Sequence, residues 1–206
     1  PYQNSHSFRR SLRLMPGVVE DKTGAVHFNG AAENQVEYVL NGFNIADPIT
    51  GQFRSTLAVE GIRSAEFSSG RYSPEFGRGS AGVLQIHTQN GTDAFRYTAT
   101  NFVPGVDFQQ GIRLGNWYPR AGISGPIVRG RAWFSDVFDV GRSSMFITGL
   151  PEGEPNTRTT LAASNLLHTQ INITPANILF TDFLVNFDRG NRIGLGPLDP
   201  AATTIT

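Results

Sequence analysis

The sequence of 206 residues contains no cysteine, which excludes disulfide bonds, thiolate catalysis and cysteine-based metal sites within it. Charged residues make up 17%, against about 25% in typical soluble domains. The 17 basic and 17 acidic residues cancel, and no basic stripe could neutralise phosphates, so we expect no nucleic-acid partner. No apolar run approaches the ~20 residues of a membrane-spanning helix, and the first residues lack a signal-peptide pattern.

Turn-forming and aromatic residues are abundant, with 23 Gly, 12 Pro and 15 Phe. Before Gly91, short apolar runs at residues 36–40, 62–67 and 83–88 each end at an Asn-Gly or Ser-Gly pair, which predicts buried strands. Residues 7–15 are predicted to form a short helix that Pro16 terminates. Residues 1–91 are therefore predicted to be a small α+β domain.

After Gly91 the apolar and polar residues alternate over longer stretches. In residues 178–188 one face carries Leu179, Thr181, Phe183, Val185 and Phe187, and the other carries most of the polar atoms. Strands of ~9 to 11 residues with one apolar face are typical of a transmembrane β-barrel. We predict five strands in residues 92–206, at 95–103, 108–123, 131–141, 161–173 and 178–188.

Connection lengths alternate between short and long in this half of the sequence. Short turns are predicted at residues 124–130 and 174–177, and long loops at 141–160 and from residue 189, as in barrels with short periplasmic turns. Five strands cannot close a barrel, so we expect further strands beyond Thr206. The aromatic residues near the strand ends are candidates for the girdles at the membrane interfaces: Phe95, Trp117, Trp133 and Phe146.

Several short motifs resemble, in order, the plug domain of TonB-dependent receptors. They are Met15-Pro16-Gly17-Val18, Phe28-Asn29-Gly30, Asn34-Gln35-Val36, Val39-Leu40-Asn41-Gly42-Phe43, Ala65-Glu66-Phe67 and the run from Phe76 to Thr88. Within that superfamily the Oar-like group is the most similar, through residues 72–77, 90–92 and 124–127. Each motif alone is weakly specific, but their order extends over roughly 130 residues.

The resemblance implies a plug domain at residues 1–91, followed at 92–206 by the first strands of an antiparallel outer-membrane β-barrel with 22 strands in all. It further implies energy-coupled uptake of a scarce solute across the bacterial outer membrane, with TonB as partner and its contact box upstream of Pro1. The plug's structural motif would comprise Pro16, Gly17, Gly30, Asn41, Gly42, Glu66, Gly70, Gly77 and Gly82. Asn29, Asn41 and Ser69 depart from the family pattern, which often has Arg, Asp and Arg there.

Under this alignment three plug turns point towards the outside and are candidates for solute contact. Their residues are Asn29, Asn44, Asp47, Gln52, Phe53 and Arg54. The alternative is that these turns are merely hydrated loop tips.

No pattern supports catalysis or a resident cofactor. Residues 77–82 match G-x-G-x-x-G, but a β-rich run follows instead of the helix that a dinucleotide site requires. The four histidines lack metal-ligand spacing, and Glu66 and Glu75 are expected to serve structural hydrogen bonding. We therefore expect no enzyme activity, no metal site and no cofactor.

Two other functions remain open at the level of the sequence. One is an outer-membrane adhesin or assembly protein that has a plugged barrel without transport, since a fold does not determine function. The other is a soluble β-rich binding module or hydrolase, against which the apolar face at residues 179–187 argues.

Overall fold

The computed structural model describes residues 8–22, 25–70, 72–77, 79–107, 113–150 and 155–196. Helix α1 (Phe8–Ser11) continues into a 3-10 turn at Leu12–Leu14, and two further 3-10 turns occupy Glu33–Gln35 and Val59–Gly61. The strands are β1 (Val18–Glu20), β2 (Val26–Phe28), β3 (Ala31–Ala32), β4 (Val36–Leu40), β5 (Phe43–Asn44), β6 (Ile62–Ser68), β7 (Gly82–Thr88), β8 (Arg96–Thr100), β9 (Val106–Asp107), β10 (Arg113–Leu114), β11 (Arg120–Val128), β12 (Ala132–Phe146), β13 (Thr157–Thr174) and β14 (Asn177–Asn191).

The first half, which we call the mixed unit, comprises α1, β1–β7 and their connections. Its main sheet has the order β5-β4-β7-β6, in which β4 and β7 are parallel and the other pairs antiparallel. A small β1-β2-β3 sheet and α1 complete the unit. The predicted helix is thus present over fewer residues, and the three predicted strands are present as β4, β6 and β7.

Strand β6 differs from the expectation of a buried strand. It lies at the edge of its sheet, and the side chains of Arg63, Ser64 and Glu66 are exposed. An edge strand has only one neighbour, so the apolar run predicts the strand correctly but overestimates its burial.

Two Asn-Gly pairs form tight turns in the mixed unit. Asn29 and Gly30 connect β2 to β3, with φ of 48° and 84°, and Asn41 and Gly42 connect β4 to β5, with φ of 48° and 93°. Positive φ at both central residues matches the twist of the flanking strands, and Asn and Gly adopt it at the least cost.

The second half is a five-stranded antiparallel sheet, which we call the wall, in the order β14-β13-β12-β11-β8. Strands β12 and β14 have 15 residues and β13 has 18, longer than predicted. The long loop is correspondingly shorter and connects Phe146 to Thr157. The short turn between β13 and β14 is confirmed at residues 175–176.

The second predicted wall strand and the turn after it are wrong in position. Residues 108–112 lie outside the described residues, and β10 pairs with β9 in a separate two-stranded antiparallel sheet instead of joining the wall. Strand β11 begins at Arg120 and runs through the predicted turn to Val128, with a register shift between Pro126 and Val128. Proline lacks an N–H for the ladder, and the irregularity beside it accommodates that loss.

The core lies in the mixed unit and extends to the wall. Tyr38, Phe28, Phe53, Leu84 and Ile86 are fully buried. Leu166 of β13 belongs to the same buried cluster, and Leu184 of β14 packs against it. In the part of the chain that the structure describes, no helix is long and apolar enough to cross a membrane.

Candidate functional site

The wall turns one face towards the mixed unit, and its strand register arranges that face in three rows. The upper row is Thr100, Arg120, Asp139, Ser164 and Asn186; the middle row is Thr98, Gly122, Val137, Leu166 and Leu184; the lower row is Arg96, Ser124, Ser135, His168 and Asp182. A row with three apolar side chains therefore separates two polar rows.

The upper row fixes the segment that precedes β6. Arg120 Nη1 lies 2.6 Å from Glu60 Oε1, and both side chains are largely buried. Ser164 Oγ donates to the carbonyl of Thr56 at 2.7 Å, and the amide of Thr56 donates to Asn186 Oδ1 at 3.2 Å. An ion pair and two hydrogen bonds thus hold this segment against three strands of the wall.

The middle row packs against a glycine. A Cβ atom added to Gly61 would lie 3.2 Å from Leu166 Cδ2 and 3.5 Å from Val137 Cγ2. The absence of a side chain at Gly61 lets the mixed unit approach the wall closely, and the contact is apolar.

In the lower row, Asp182 connects the wall to the mixed unit. Its Oδ1 accepts hydrogen bonds from Asn41 Nδ2 and from His168 Nδ1, both at 2.7 Å. Asn41 Nδ2 also donates to Thr88 Oγ1, and Asn41 Oδ1 accepts the Thr88 amide. An Asp at position 41, as the family often has, would place a second carboxylate against Asp182; the amide of Asn41 donates instead.

A cavity of about 370 Å³ opens beside this cluster, between the mixed unit and the wall. Its lining includes Phe43 and Arg63 from the mixed unit and His168, Phe180 and Asp182 from the wall. The sequence pattern indicates for His168 a polar strand position and no metal-ligand spacing, and it does not pair His168 with Asp182 or Asn41. Alternation places His168 and Asp182 on the polar side of their strands, but the register that joins them appears only in the folded sheet.

Three of the predicted solute-binding residues meet in one loop after β5. Asp47 Oδ1 accepts the amides of Ile49 and Thr50, at 2.9 and 2.8 Å, and the Asp47 amide donates to the carbonyl of Gln52. The Arg54 guanidinium lies 3.9 Å from Asp47 Oδ2 and is exposed. These backbone hydrogen bonds, followed by the Arg54 charge, hold the pKa of Asp47 below its ordinary value.

The other two candidates, Asn44 and Asn29, lie apart from this loop. Asn44 is exposed on β5, where its Nδ2 donates to Glu37 Oε1 at 3.0 Å. Asn29 is exposed in the β2–β3 turn, and its amide donates to the carbonyl of Gly17 at 2.7 Å.

Phe53 is a correction to the predicted set. Its side chain is 0% exposed and stacks on Tyr38 with 5.0 Å between ring centroids, with Phe8 edge-on at 6.1 Å. A large aromatic side chain gains more from this core than from solvent, so Phe53 does not contact a solute in this conformation. The same burial raises the pKa of the Tyr38 phenol, whose hydroxyl donates to the carbonyl of Glu33.

Some motif glycines have a clear steric role and others have none. A Cβ atom at Gly82, where β7 begins, would lie 2.6 Å from the Ser68 carbonyl oxygen, so only glycine fits beside β6. Gly17 lies in the turn after Pro16 with φ of 77°. Among the described residues, no atom lies within 4 Å of a Cβ added to Gly70 or Gly77, and none of them explains a need for glycine there.

The aromatic residues near the strand ends fall into two groups. Phe95 stacks on Tyr97 and packs edge-on against Phe134 close to the β11–β12 turn, where Trp133 Nε1 donates to Asp93 at 2.6 Å. Trp117 forms an isolated backbone bridge with Arg142 towards the opposite end of the strands. Phe146 lies at that end of β12. The interface girdles remain a prediction.

The carboxylates considered for catalysis do not form a defined pair. Glu66 is exposed on the edge strand β6, and Glu75 is exposed in the segment between β6 and β7. Within the described residues, no group of three or more His, Asp or Glu side chains could hold a metal ion.

Comparison with known proteins gives one curated sequence relative and several solved structures. Over an aligned length of 147 residues the chain is 30% identical to the TonB-dependent transporter Oar of Myxococcus xanthus, and the match covers 63% of the chain. The matched region spans only 14% of that relative. No family model matches the sequence.

The solved structures are receptors of low sequence identity. The siderophore receptor PirA from Acinetobacter baumannii matches 90% of this chain with a TM-score of 0.61 and 16% identity, over 29% of its own length. A variant of the ferric enterobactin receptor PfeA from Pseudomonas aeruginosa, in complex with enterobactin, matches 93% with a TM-score of 0.63 and 13% identity, over 32% of its own length. The resemblance to TonB-dependent receptors is thus confirmed, and the fold matches part of such receptors.

Proposed function

We propose that this chain is part of a TonB-dependent transporter of the bacterial outer membrane, in which residues 1–91 form the plug and residues 92–206 form the first strands of a 22-stranded barrel. The observation that supports this proposal best is the two-sided wall. Its polar rows bind the mixed unit, whereas Leu179, Phe183, Val185 and Phe187 of β14 are 43–60% exposed on the opposite face. An exposed apolar face on long antiparallel strands suits lipid.

Four polar side chains on the lipid-suited face form two hydrogen-bonded pairs. Asn165 Nδ2 donates to Asp136 Oδ1 at 2.6 Å, and the hydroxyls of Thr169 and Thr181 are hydrogen-bonded. Pairing lowers the cost of placing polar groups among hydrocarbon chains. These pairs are therefore compatible with a wall that faces the membrane.

In this proposal the plug closes the barrel lumen until TonB, which contacts a segment upstream of Pro1, pulls on it. The work comes from the proton gradient of the inner membrane. A scarce solute would first bind to the exposed plug turns, through Asn29, Asn44, Asp47, Gln52 and Arg54. The exposed guanidinium and amides of the 47–54 loop provide both hydrogen-bond donors and acceptors for such a solute.

Uptake can be tested without knowing the solute. Cells with and without the full-length protein are grown in spent medium, and solute depletion is followed by mass spectrometry in TonB-positive and TonB-negative backgrounds. We expect at least one solute to be depleted only when both proteins are present, and a protonophore to abolish the depletion.

The rival functions predict different results in the same experiment. An adhesin or assembly protein would fractionate with the outer membrane and affect attachment or surface assembly, without TonB-dependent depletion of any solute. A soluble binding module would remain in solution without detergent. Either result would contradict the transport proposal.

A further inference from the structure

The cavity between the mixed unit and the wall is lined by an arginine that has no partner among the described residues. Arg63 lies in the edge strand β6, where the register with β7 shifts between Ile62 and Ser64 and leaves Arg63 as an extra residue. Such a β-bulge re-aims the side chain of the extra residue. The Arg63 side chain is exposed, and in the part of the chain that the structure describes it forms no ion pair or hydrogen bond. Its charge is therefore available to a ligand in the cavity.

Two aromatic rings that line the same cavity are also exposed. Phe43 of β5 is 68% exposed and Phe180 of β14 is 50% exposed. Phe180 lies two residues before Asp182 and hence on the same inner face of the wall, so contact with lipid does not account for its exposure. Its ring stacks on His168, which holds it in place on the wall. The two rings give the cavity apolar surfaces that a ligand can cover.

The charges around the cavity select the charge of the ligand. The Asp182 carboxylate also lines the cavity, but its side chain is 10% exposed and its Oδ1 accepts hydrogen bonds from Asn41 and His168. The accessible charge is thus that of Arg63, whose guanidinium binds a carboxylate through two parallel hydrogen bonds. A ligand cation would be repelled by Arg63, and a second negative charge on the ligand would be repelled by Asp182. A single carboxylate fits both conditions.

We propose that this cavity binds a monocarboxylate with an apolar ring, the carboxylate pairing with Arg63 and the ring packing against Phe43 and Phe180. All three side chains are exposed, so the ligand reaches them without disturbing the buried hydrogen bonds of Asp182. The cavity volume of about 370 Å³ is within the range of small-molecule sites. None of residues 47–54 lines this cavity, so the site is distinct from the proposed solute-binding loop. This inference goes beyond the proposed uptake and does not depend on it.

The test uses the full-length protein in detergent and phenylacetate as the probe. Calorimetry and saturation-transfer NMR measure its binding, with detergent micelles alone as the blank. Four related probes each change one property: phenylacetamide is neutral, phenethylamine is a cation, phenyl phosphate carries a second negative charge, and acetate lacks the ring. We expect saturable binding of phenylacetate and at least about tenfold weaker binding of each of the other four.

Three variants assign the binding to this cavity. Arg63→Gln removes the charge from an exposed edge-strand position, so folding should persist while phenylacetate binding weakens at least about tenfold. Arg129→Gln is the matched control, because Arg129 is exposed in the β11–β12 turn and does not line the cavity, and it should leave binding unchanged. Phe43→Ala removes an exposed ring and should weaken binding about two- to tenfold.

Four results would overturn the proposal: no saturable phenylacetate binding, equal or tighter binding of any of the other four probes, phenylacetate binding that Arg63→Gln or Phe43→Ala leaves unchanged, or an equal loss of binding in Arg129→Gln. The comparison of probes needs no variant, so it decides the question even if a variant fails to fold. Binding in detergent needs no TonB, so this outcome is independent of the uptake experiment. Phenylacetate binding without TonB-dependent depletion of any solute would contradict transport alone.

Discussion

Asp93 connects the segment before β8 to the turn between β11 and β12. Its Oδ1 accepts the Gly130 amide at 2.9 Å and the Trp133 indole N–H at 2.6 Å. The hydrogen bond from Gly130, and to a smaller extent that from Trp133, holds the pKa of Asp93 below its ordinary value of 3.8. The pKa of Asp93 is therefore lower in the folded protein than in the unfolded chain. The two hydrogen bonds stabilise the fold fully above pH 3.8, and this stabilisation is lost as the pH falls through the folded-state pKa.

We predict that the Trp133 indole resonance will titrate with a midpoint below pH 3.8 in NMR spectra of the full-length protein. The resonance is assigned by its disappearance in Trp133→Phe. Asp93→Asn retains an acceptor oxygen but no longer ionises, so its titration should be flat. A midpoint above 3.8, or the same titration in Asp93→Asn, would contradict the assigned hydrogen bonds.

At the scale of single residues, the sequence predicts the features that depend only on the local backbone, such as tight turns. Asn29-Gly30 and Asn41-Gly42 are turns because these residues adopt positive φ at little cost wherever the pair occurs. Phe53 lies between Gln52 and Arg54, both exposed, so its neighbours gave no sign of burial. Its position in the core depends on Tyr38 and Phe8, which are distant in the sequence.

At the scale of elements, the apolar middle row depends on close approach of the 3-10 turn at Val59–Gly61 to β12 and β13. Strand β13 contributes Leu166, which is 2% exposed. Because a Cβ atom at Gly61 would crowd Leu166 at 3.2 Å and contact Val137 at 3.5 Å, the turn and the two strands are sterically coupled. Changes on the two sides of this contact should therefore not be additive.

We predict that Gly61→Val will lower the free energy of unfolding by about 1–3 kcal/mol through overpacking, and Leu166→Ala by about 2–5 kcal/mol through a cavity. The double variant should lose less free energy of unfolding than the two single variants together, because the valine fills space that the leucine vacates. Denaturant unfolding in detergent measures all three. Gly70→Val is the control, since an added Cβ meets no atom within 4 Å, and a fully additive double variant would disprove the contact.

Element prediction succeeded where alternation was long and unbroken. Strand β14 follows the predicted faces, and the predicted ends of β13 and β14 fall short because Arg158 and Arg189 look like loop residues. Strand β11 was misplaced because Ser124-Gly125-Pro126 has the composition of a turn. In the folded wall, Ser124 is buried in the lower row and Gly125 leaves space for the Phe95 ring, so contacts with other segments override the local signal.

At the scale of the whole molecule, the contacts between the mixed unit and the wall are of two kinds. The upper and lower rows use hydrogen bonds and an ion pair, whereas the middle row is apolar. Polar contacts can be exchanged for water when two bodies separate, so their net cost of separation is modest. The proposed transport requires the mixed unit to leave its seat and return, and contacts of this kind suit such movement better than a continuous apolar interface would.

If the mixed unit moves during transport, a covalent link between it and the wall should stop uptake. Ser164 lies against the backbone of Thr56, since Ser164 Oγ donates to the Thr56 carbonyl at 2.7 Å, and the 206 residues contain no cysteine. We predict that Thr56→Cys/Ser164→Cys will abolish TonB-dependent solute depletion when oxidised and recover it when reduced. The pair Thr169→Cys/Thr181→Cys joins β13 to β14 within the wall, where no movement is needed, and should leave depletion intact in both states. Equal uptake by the oxidised and reduced forms of the first pair would mean that the solute passes while the mixed unit stays attached at Ser164.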